Sequence, residues 1–250
     1  MIVKRNPAQD SFLYKNNFDK FNWFFDNFCY KIFDILVLVM NMAYIYMDES
    51  WDLGFKNIQW WSKYFIITFL VSKSEKELEI VMKNVRKRAN WSKMKIYWSF
   101  FHSNNLTKQV IKRCLDLTSR RDVFAVSIIA DKTKIPFNFK NNIHYLYNYL
   151  VWELLELCQK RDLFPRWEKI IFVASRRETN KQLNNKFIEY LNLKKYNLFH
   201  FDFIISNPNQ FKWLEVVDAI AFSIHQKYEF NEFELYSVIK NKIILEKQIF

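Results

Sequence analysis

One glycine, Gly54, serves a chain of 250 residues. Ordinary usage of about 7% would supply roughly 18. Glycine is the residue that takes positive φ and lets backbone approach backbone without steric cost, so a chain with many tight turns needs more of it. The deficit is matched by an excess of rings: nine tryptophans, 13 tyrosines and 26 phenylalanines. With half of its residues apolar, the chain can bury one sizeable core and reads as a single main domain, with room for a small second lobe.

The formal charge is +12 and the isoelectric point near 9.4. Lys and Arg in excess favour a polyanionic partner through counterion release. The abundance of Lys, Asn, Ile and Phe is also what AT-rich coding produces without selection for nucleic acid. Cys29, Cys114 and Cys158 form neither a C-x-x-C nor a Cys/His zinc pattern and read as reduced thiols of a cytoplasmic protein. The apolar run at 32–40 contains Asp34 and is about half a membrane span. No small-residue cleavage site follows it, so neither secretion nor membrane insertion is expected.

Residues 43–48 read as a short, aromatic-rich strand running into Asp48-Glu49-Ser50. Further strands are expected at 64–71, 95–101, 123–130, 169–174 and 198–205. Helices are expected at 74–89, 106–119, 142–160, 178–191, 214–228 and 232–242. Ser74 with Glu77 three residues on is a capping-box signature. Strands come first and then alternate with helices, which predicts an α/β fold with a mixed sheet covered by helices. Residues 1–41 lack this rhythm and read as an appendage, or as sequence upstream of a true start at Met40 or Met42.

Alternation along the first strand puts Tyr44, Tyr46 and Asp48 on one face and Ala43, Ile45 and Met47 on the other. Asp48 by itself also suits a turn cap. Near the C-terminus, helical spacing aligns Leu214, Asp218, Ala221 and His225 on one stripe. A carboxylate on a buried stripe needs a base or a cation to compensate it. A Lys or Arg would do so structurally. A pair of distant carboxylates, one at a strand end and one on a packed helix, also suits divalent-metal chemistry, because oxygen ligands fit Mg²⁺ or Mn²⁺.

Several segments carry a resemblance in the same chain order: 44–50 with Asp52-Leu53-Gly54-Phe55, Lys63-Tyr64-Phe65, Phe101-His102-Ser103, Ala130-Asp131-Lys132, Ser175-Arg176 and 214–221. From about Ala43 to the C-terminus the chain resembles the bacterial and phage family numbered 3800 among domains of unknown function. That resemblance implies a ribonuclease H-like domain over 42–250 and a metal-dependent nuclease-type site using Asp48 and Asp218. Glu49 belongs to the same signature but points to the other strand face, and His102, Lys132 and Arg176 match positions near the site that would contact nucleic acid. The family commonly has an acid where this chain has Ala174 and Ser175. Asp131, Asp52 or Glu178 would have to complete the metal shell.

These features lead to a metal-dependent phosphodiesterase acting on DNA or RNA, with Mg²⁺ or Mn²⁺ as cofactor. Two rivals come from other classes. One is a nucleic-acid-binding module that kept the fold and lost the third acid; the other is a partner-binding protein of a mobile-element or defence system.

Trp51, Trp60, Trp61, Trp98 and Trp213 stand at positions where the resembled family has glycine, several of them beside the acid motifs. Tight turns there accept glycine and punish an indole. The reading is that UGA codons, decoded as glycine in some bacterial lineages, are rendered as Trp in this sequence, in which case Trp51→Gly and Trp213→Gly would stabilise the protein. Sequencing the gene checks this: UGA is expected at codons 51, 60, 61 and 213, and UGG there overturns it.

Overall fold

The computed structural model describes residues 42–50, 53–55, 62–88, 103, 106–164, 169–175, 181–194, 201–206 and 212–250. Strands β1 (Met42–Ser50), β2 (Tyr64–Ser72) and β3 (Val123–Asp131) pair antiparallel in succession. Helices α1 (Glu75–Arg88) and α2 (Lys108–Ser119) lie between β2 and β3 in sequence. After β3 come α3 (Phe137–Lys140), α4 (Ile143–Lys160), β4 (Lys169–Ser175), α5 (Lys181–Lys194) and β5 (Phe201–Ser206). The chain ends with α6 (Lys212–Phe230), α7 (Glu234–Ile239), a 3-10 turn at Lys240–Lys242 and β6 (Ile243–Ile249). β4 runs parallel to β1, β5 parallel to β4 and β6 parallel to β3, giving the order β5-β4-β1-β2-β3-β6. Three antiparallel strands extended on the β1 side by two parallel ones make the expected ribonuclease H-like mixed sheet, flanked by helices.

The two faces of the sheet carry separate cores, and strand alternation decides which residue joins which. Ala43, Ile45 and Met47 of β1, with Phe65, Ile67 and Phe69 of β2, pack with Leu146, Leu150 and Leu154 of α4. Tyr46, Ile66 and Leu70 pack on the other face with Leu214, Val217 and Ile224 of α6. Because both faces of β2 are covered, its sequence YFIITFLVS is buried at every position after Tyr64. Such unbroken apolar, β-branched runs mark a strand enclosed on both sides.

The turns reveal how the chain manages with one glycine. α4 starts at Asn142, whose side-chain oxygen accepts the Tyr145 N–H, an N-cap that satisfies an orphan donor. It ends in a Schellman closure, with Asp162 N–H donating to the Gln159 carbonyl and Leu163 N–H to the Cys158 carbonyl. The left-handed position there is Asp162 at φ 50°, and Asn231 at φ 57° follows α6 in the same way. Asp and Asn tolerate that conformation through local hydrogen bonding. Gly54 is not at positive φ.

Three expectations need adjustment. The helix expected over 178–191 is described from Lys181 to Lys194. The helix expected to reach 242 stops as α7, and the chain then forms β6, which periodicity did not signal because on this edge strand only Leu245 is buried. Trp213 lies inside α6 rather than in a turn, is 4% exposed, and sets its ring 5.8 Å from that of Tyr46. Removing that indole would open a cavity, so the stabilisation expected of Trp213→Gly is reversed. The other glycine-like tryptophans, and the strand expected at 95–101, lie outside the described residues.

Met42–Phe250 packs as a unit of its own, and no described helix is long and apolar enough to cross a membrane. A chain beginning at Met42 is expected to fold with the melting transition of the full chain. Differential scanning calorimetry of the two checks this, and a large loss of stability would assign a core role to the residues before Met42.

Candidate functional site

Asp48 stands near the C-terminal end of β1, between β4 and β2. Its cross-strand partner on β2 is Thr68, and its neighbour Met47 is level with Ala174 on β4. Alternation places it on the α6 face, following Tyr44 and Tyr46, whose rings stack 3° from parallel. Glu49 turns to the other face, where the Tyr147 hydroxyl of α4 donates to it at 3.4 Å. Of these two adjacent acids, Asp48 is the one that meets α6.

α6 brings Asp218 to the same place. The helix is buried almost all round because the sheet lies on one side and α1, α2 and α7 on the other. Asp218 is 8% exposed, and the backbone N–H of Ser103 donates to its Oδ2 at 2.7 Å. The helix is tied down on either side of it. One turn earlier, Glu215 is 1% exposed and accepts two hydrogen bonds from Arg86 of α1, at 2.6 and 2.7 Å.

Two turns later the anchoring is to the start of β2. Ser62 Oγ lies 3.0 Å from His225 Nε2 and donates to Glu229 at 2.8 Å. Glu229 also accepts the N–H groups of Lys63 and Tyr64. Burial pushes the His225 imidazole down to about 4, so the ring is neutral near pH 7. Sequence reasoning placed His225 on the buried stripe but did not find this network, because Ser62 and Glu229 are 167 residues apart.

The electrostatics of the pair follow from crowding. Burial is the largest cause raising the Asp48 carboxyl well above its usual range, and the charges of Asp218 and Glu49 raise it further. The Glu49 N–H, 3.0 Å from Asp48 Oδ1, and the Ser175 hydroxyl act in the opposite direction. Ser175, where an acid was expected, is thus a hydrogen-bond partner of Asp48. A site made of two nearby carboxylates, with hard oxygen donors and an unfavourable mutual charge, suits a hard divalent cation.

The remaining sequence candidates separate. Asp131 ends β3 level with Tyr64, across β2 from Asp48, about 13 Å along the strands and about 10 Å across them. Lys63 and Lys134 lie 3.6 and 3.5 Å from its carboxylate. Burial would raise this carboxyl, but the Thr133 hydroxyl and N–H together with the two lysines outweigh it and hold it below its usual range. Asp131 therefore does not complete a shell with Asp48 and Asp218. Lys132 is likewise corrected: it is fully buried, with its ammonium 3.3 Å from the Gly54 carbonyl, and so offers no surface contact to a phosphate. Asp52, His102, Arg176 and Glu178 lie outside the described residues. Among the described residues, no group of three or more His, Cys, Asp or Glu side chains gathers in a way that could hold a metal. What the sequence reading missed in the Phe101-His102-Ser103 segment is that the Ser103 backbone reaches Asp218.

No family model matches the chain, and no curated protein matches it. Among solved structures, it is similar to a ribonuclease HII from Archaeoglobus fulgidus, determined in complex with PCNA. The identity is 8% and the TM-score 0.40, covering 76% of this chain and 75% of that one. It is also similar to a mutant of Bst-RNase HIII, with 9% identity and a TM-score of 0.42, covering 75% of this chain and 53% of that one. The fold itself is carried by the strand order described above.

The sign of the Asp48 effect gives a test. A carboxyl raised in the folded state favours folding when protonated and disfavours it when ionised. Asp48→Asn is therefore expected to raise the melting temperature at neutral pH without added metal, by about 2–4 °C for each kcal/mol relieved. The gain should shrink as pH falls towards the ordinary aspartate value of 3.8. Thermal melts across that range check it; a destabilised variant at neutral pH would show that the ionised carboxylate is held by favourable partners.

Proposed function

We propose that the protein is a metal-dependent nuclease of ribonuclease H-like type acting on the phosphodiester backbone of DNA or RNA. The observation that carries this reading is the meeting of Asp48 and Asp218, 170 positions apart in sequence, with burial and then the Asp218 charge acting on Asp48. An acid pair of this kind is costly to the fold unless something positive resides there. The resemblance to the family numbered 3800 points to the same two residues, and the basic balance of the chain fits a polyanionic substrate.

In this reading Asp48 and Asp218 hold Mg²⁺ or Mn²⁺ through carboxylate oxygens. The bound ion supplies activation of water and neutralisation of charge on the phosphoryl group. The chain's own groups orient the ligands. The Ser103 N–H fixes one oxygen of Asp218, while the Glu49 N–H and Ser175 hydroxyl hold Asp48. Glu178 remains the candidate for a third carboxylate, and Arg176 and His102 for backbone contacts.

A second reading is favoured by one observation: Ser175 occupies the place of the expected acid. A chain that keeps the pair but lacks a third ligand would bind nucleic acid without cutting it. Salt-sensitive binding with no cleavage in Mn²⁺ distinguishes this module from the enzyme.

Millimolar Mn²⁺ or Mg²⁺ is expected to raise the melting temperature, because a ligand of the folded state alone stabilises it by about 2.7 kcal/mol at a hundredfold excess over its Kd. Asp48→Asn and Asp218→Asn should each abolish that increment and any chelator-sensitive cleavage. No metal-dependent shift in the wild type would overturn the metal site.

A further inference from the structure

A cleft of about 290 Å³ lies between α4, α5 and the ends of β4 and β5. Two of its lining residues connect it to the acids: Ser175, whose hydroxyl hydrogen-bonds Asp48, and Tyr147, whose hydroxyl donates to Glu49. The cleft therefore opens beside the β1 end that carries Asp48, on the sheet face opposite α6, so that the acid pair lies across the strand ends from it. It is nevertheless unlike that pair in chemistry, because none of the described residues lining it is acidic.

Three of its polar groups are amides. Asn142, Asn148 and Asn184 line it, while Leu183 and Phe187 supply apolar surface. Amide side chains present both donors and acceptors, as the edge of a nucleobase does. His144 and Lys186, both exposed, lie in the same lining and place cationic or donor groups where a phosphate could be met. The volume is near the lower end for ligand pockets, about 300–1,000 Å³, which suits one base better than a stacked pair.

The adjoining surface has the character of a stacking platform. Tyr145, which lines the cleft, is 48% exposed, and Phe137, two residues before Phe139 in α3, is 73% exposed. The Phe139 ring stacks on Tyr145 at 5.8 Å with 15° between planes, holding the tyrosine in place. Lys140 lies in the same short helix. Aromatic faces interleaved with cations are what an unpaired strand uses, since every base has a π-face and every linkage a charge. A closed duplex keeps its base faces stacked and its pairing edges occupied, so neither could enter a cleft of this kind.

We propose that this cleft takes one unstacked nucleobase of a single strand whose backbone crosses Asp48 and Asp218, which makes single-stranded nucleic acid the substrate class. The inference rests on the nuclease reading for the path of the backbone, but binding of the base does not require metal.

The test is equilibrium binding in EDTA, by fluorescence anisotropy, of a short oligodeoxyadenylate and of an abasic backbone of the same length. The full chain is expected to prefer the base-bearing strand by about tenfold, the worth of one stacked base. Leu183→Trp, which fills the cleft, and Asn184→Leu, which removes an amide, should each bring the ratio towards one. Salt-dependent binding should remain in both, and their melting transitions show whether they are folded. Equal binding of the two strands by the wild type, or a preference that survives both substitutions, overturns the cleft as a base site and leaves the metal-dependent stabilisation to stand or fall separately. A base preference lost in both variants supports the cleft even if Mn²⁺ produces no shift, in which case the nuclease reading alone fails.

Discussion

The structure depends on the near-complete burial of α6. A 19-residue helix covered by the sheet on one side and by α1, α2 and α7 on the other has few positions where a polar group is cheap. It nevertheless carries Glu215, Asp218 and His225 inside. Glu215 is offset by Arg86, and the neutral His225 by Ser62 with Glu229 close by. These two anchors fix the rotation and height of the helix. Asp218, held between them, is thereby presented to β1, and the acid pair is a consequence of how the helix is seated.

The sheet supplies the other half of that geometry. β1 has an antiparallel neighbour in β2 and a parallel one in β4, so two kinds of connection leave its ends. Asp48 and Ser175 come together because β1 and β4 run in the same direction and nearly in step. The cleft forms at the same edge, bounded by α4 and α5. Acids on one side of this edge and amides and cations on the other separate the place for a cation from a place for a base.

Among the described residues, glycine scarcity is met by other residues at the turns. Asp162 and Asn231 take the left-handed positions after two long helices, and the expense falls on short polar side chains that bond locally. Among the described residues, rings are accommodated by packing: Phe69 meets Phe172 edge-on across the first core, and Trp213 leans on Tyr46 in the second. Ring pairs of this kind add directional attraction to their burial.

Local pattern was enough to determine most of the elements and the strand face of Asp48, Glu49 and the tyrosines, because side-chain alternation is a property of the backbone alone. It also placed Asp218 on a buried stripe, since helical periodicity is equally local. Strand order, the seating of α6 and the addition of β6 were decided by tertiary packing. β6 has one buried residue and no periodic signature, so only its partner β3 makes it a strand. The same holds for the site. Asp131 was a sequence candidate to complete the shell of Asp48 and Asp218, but three-dimensional position gave it Lys63, Lys134 and Thr133 and gave Asp48 a second carboxylate. Which acids meet depends on contacts across 170 residues, and no spacing rule along the chain encodes a distance through space.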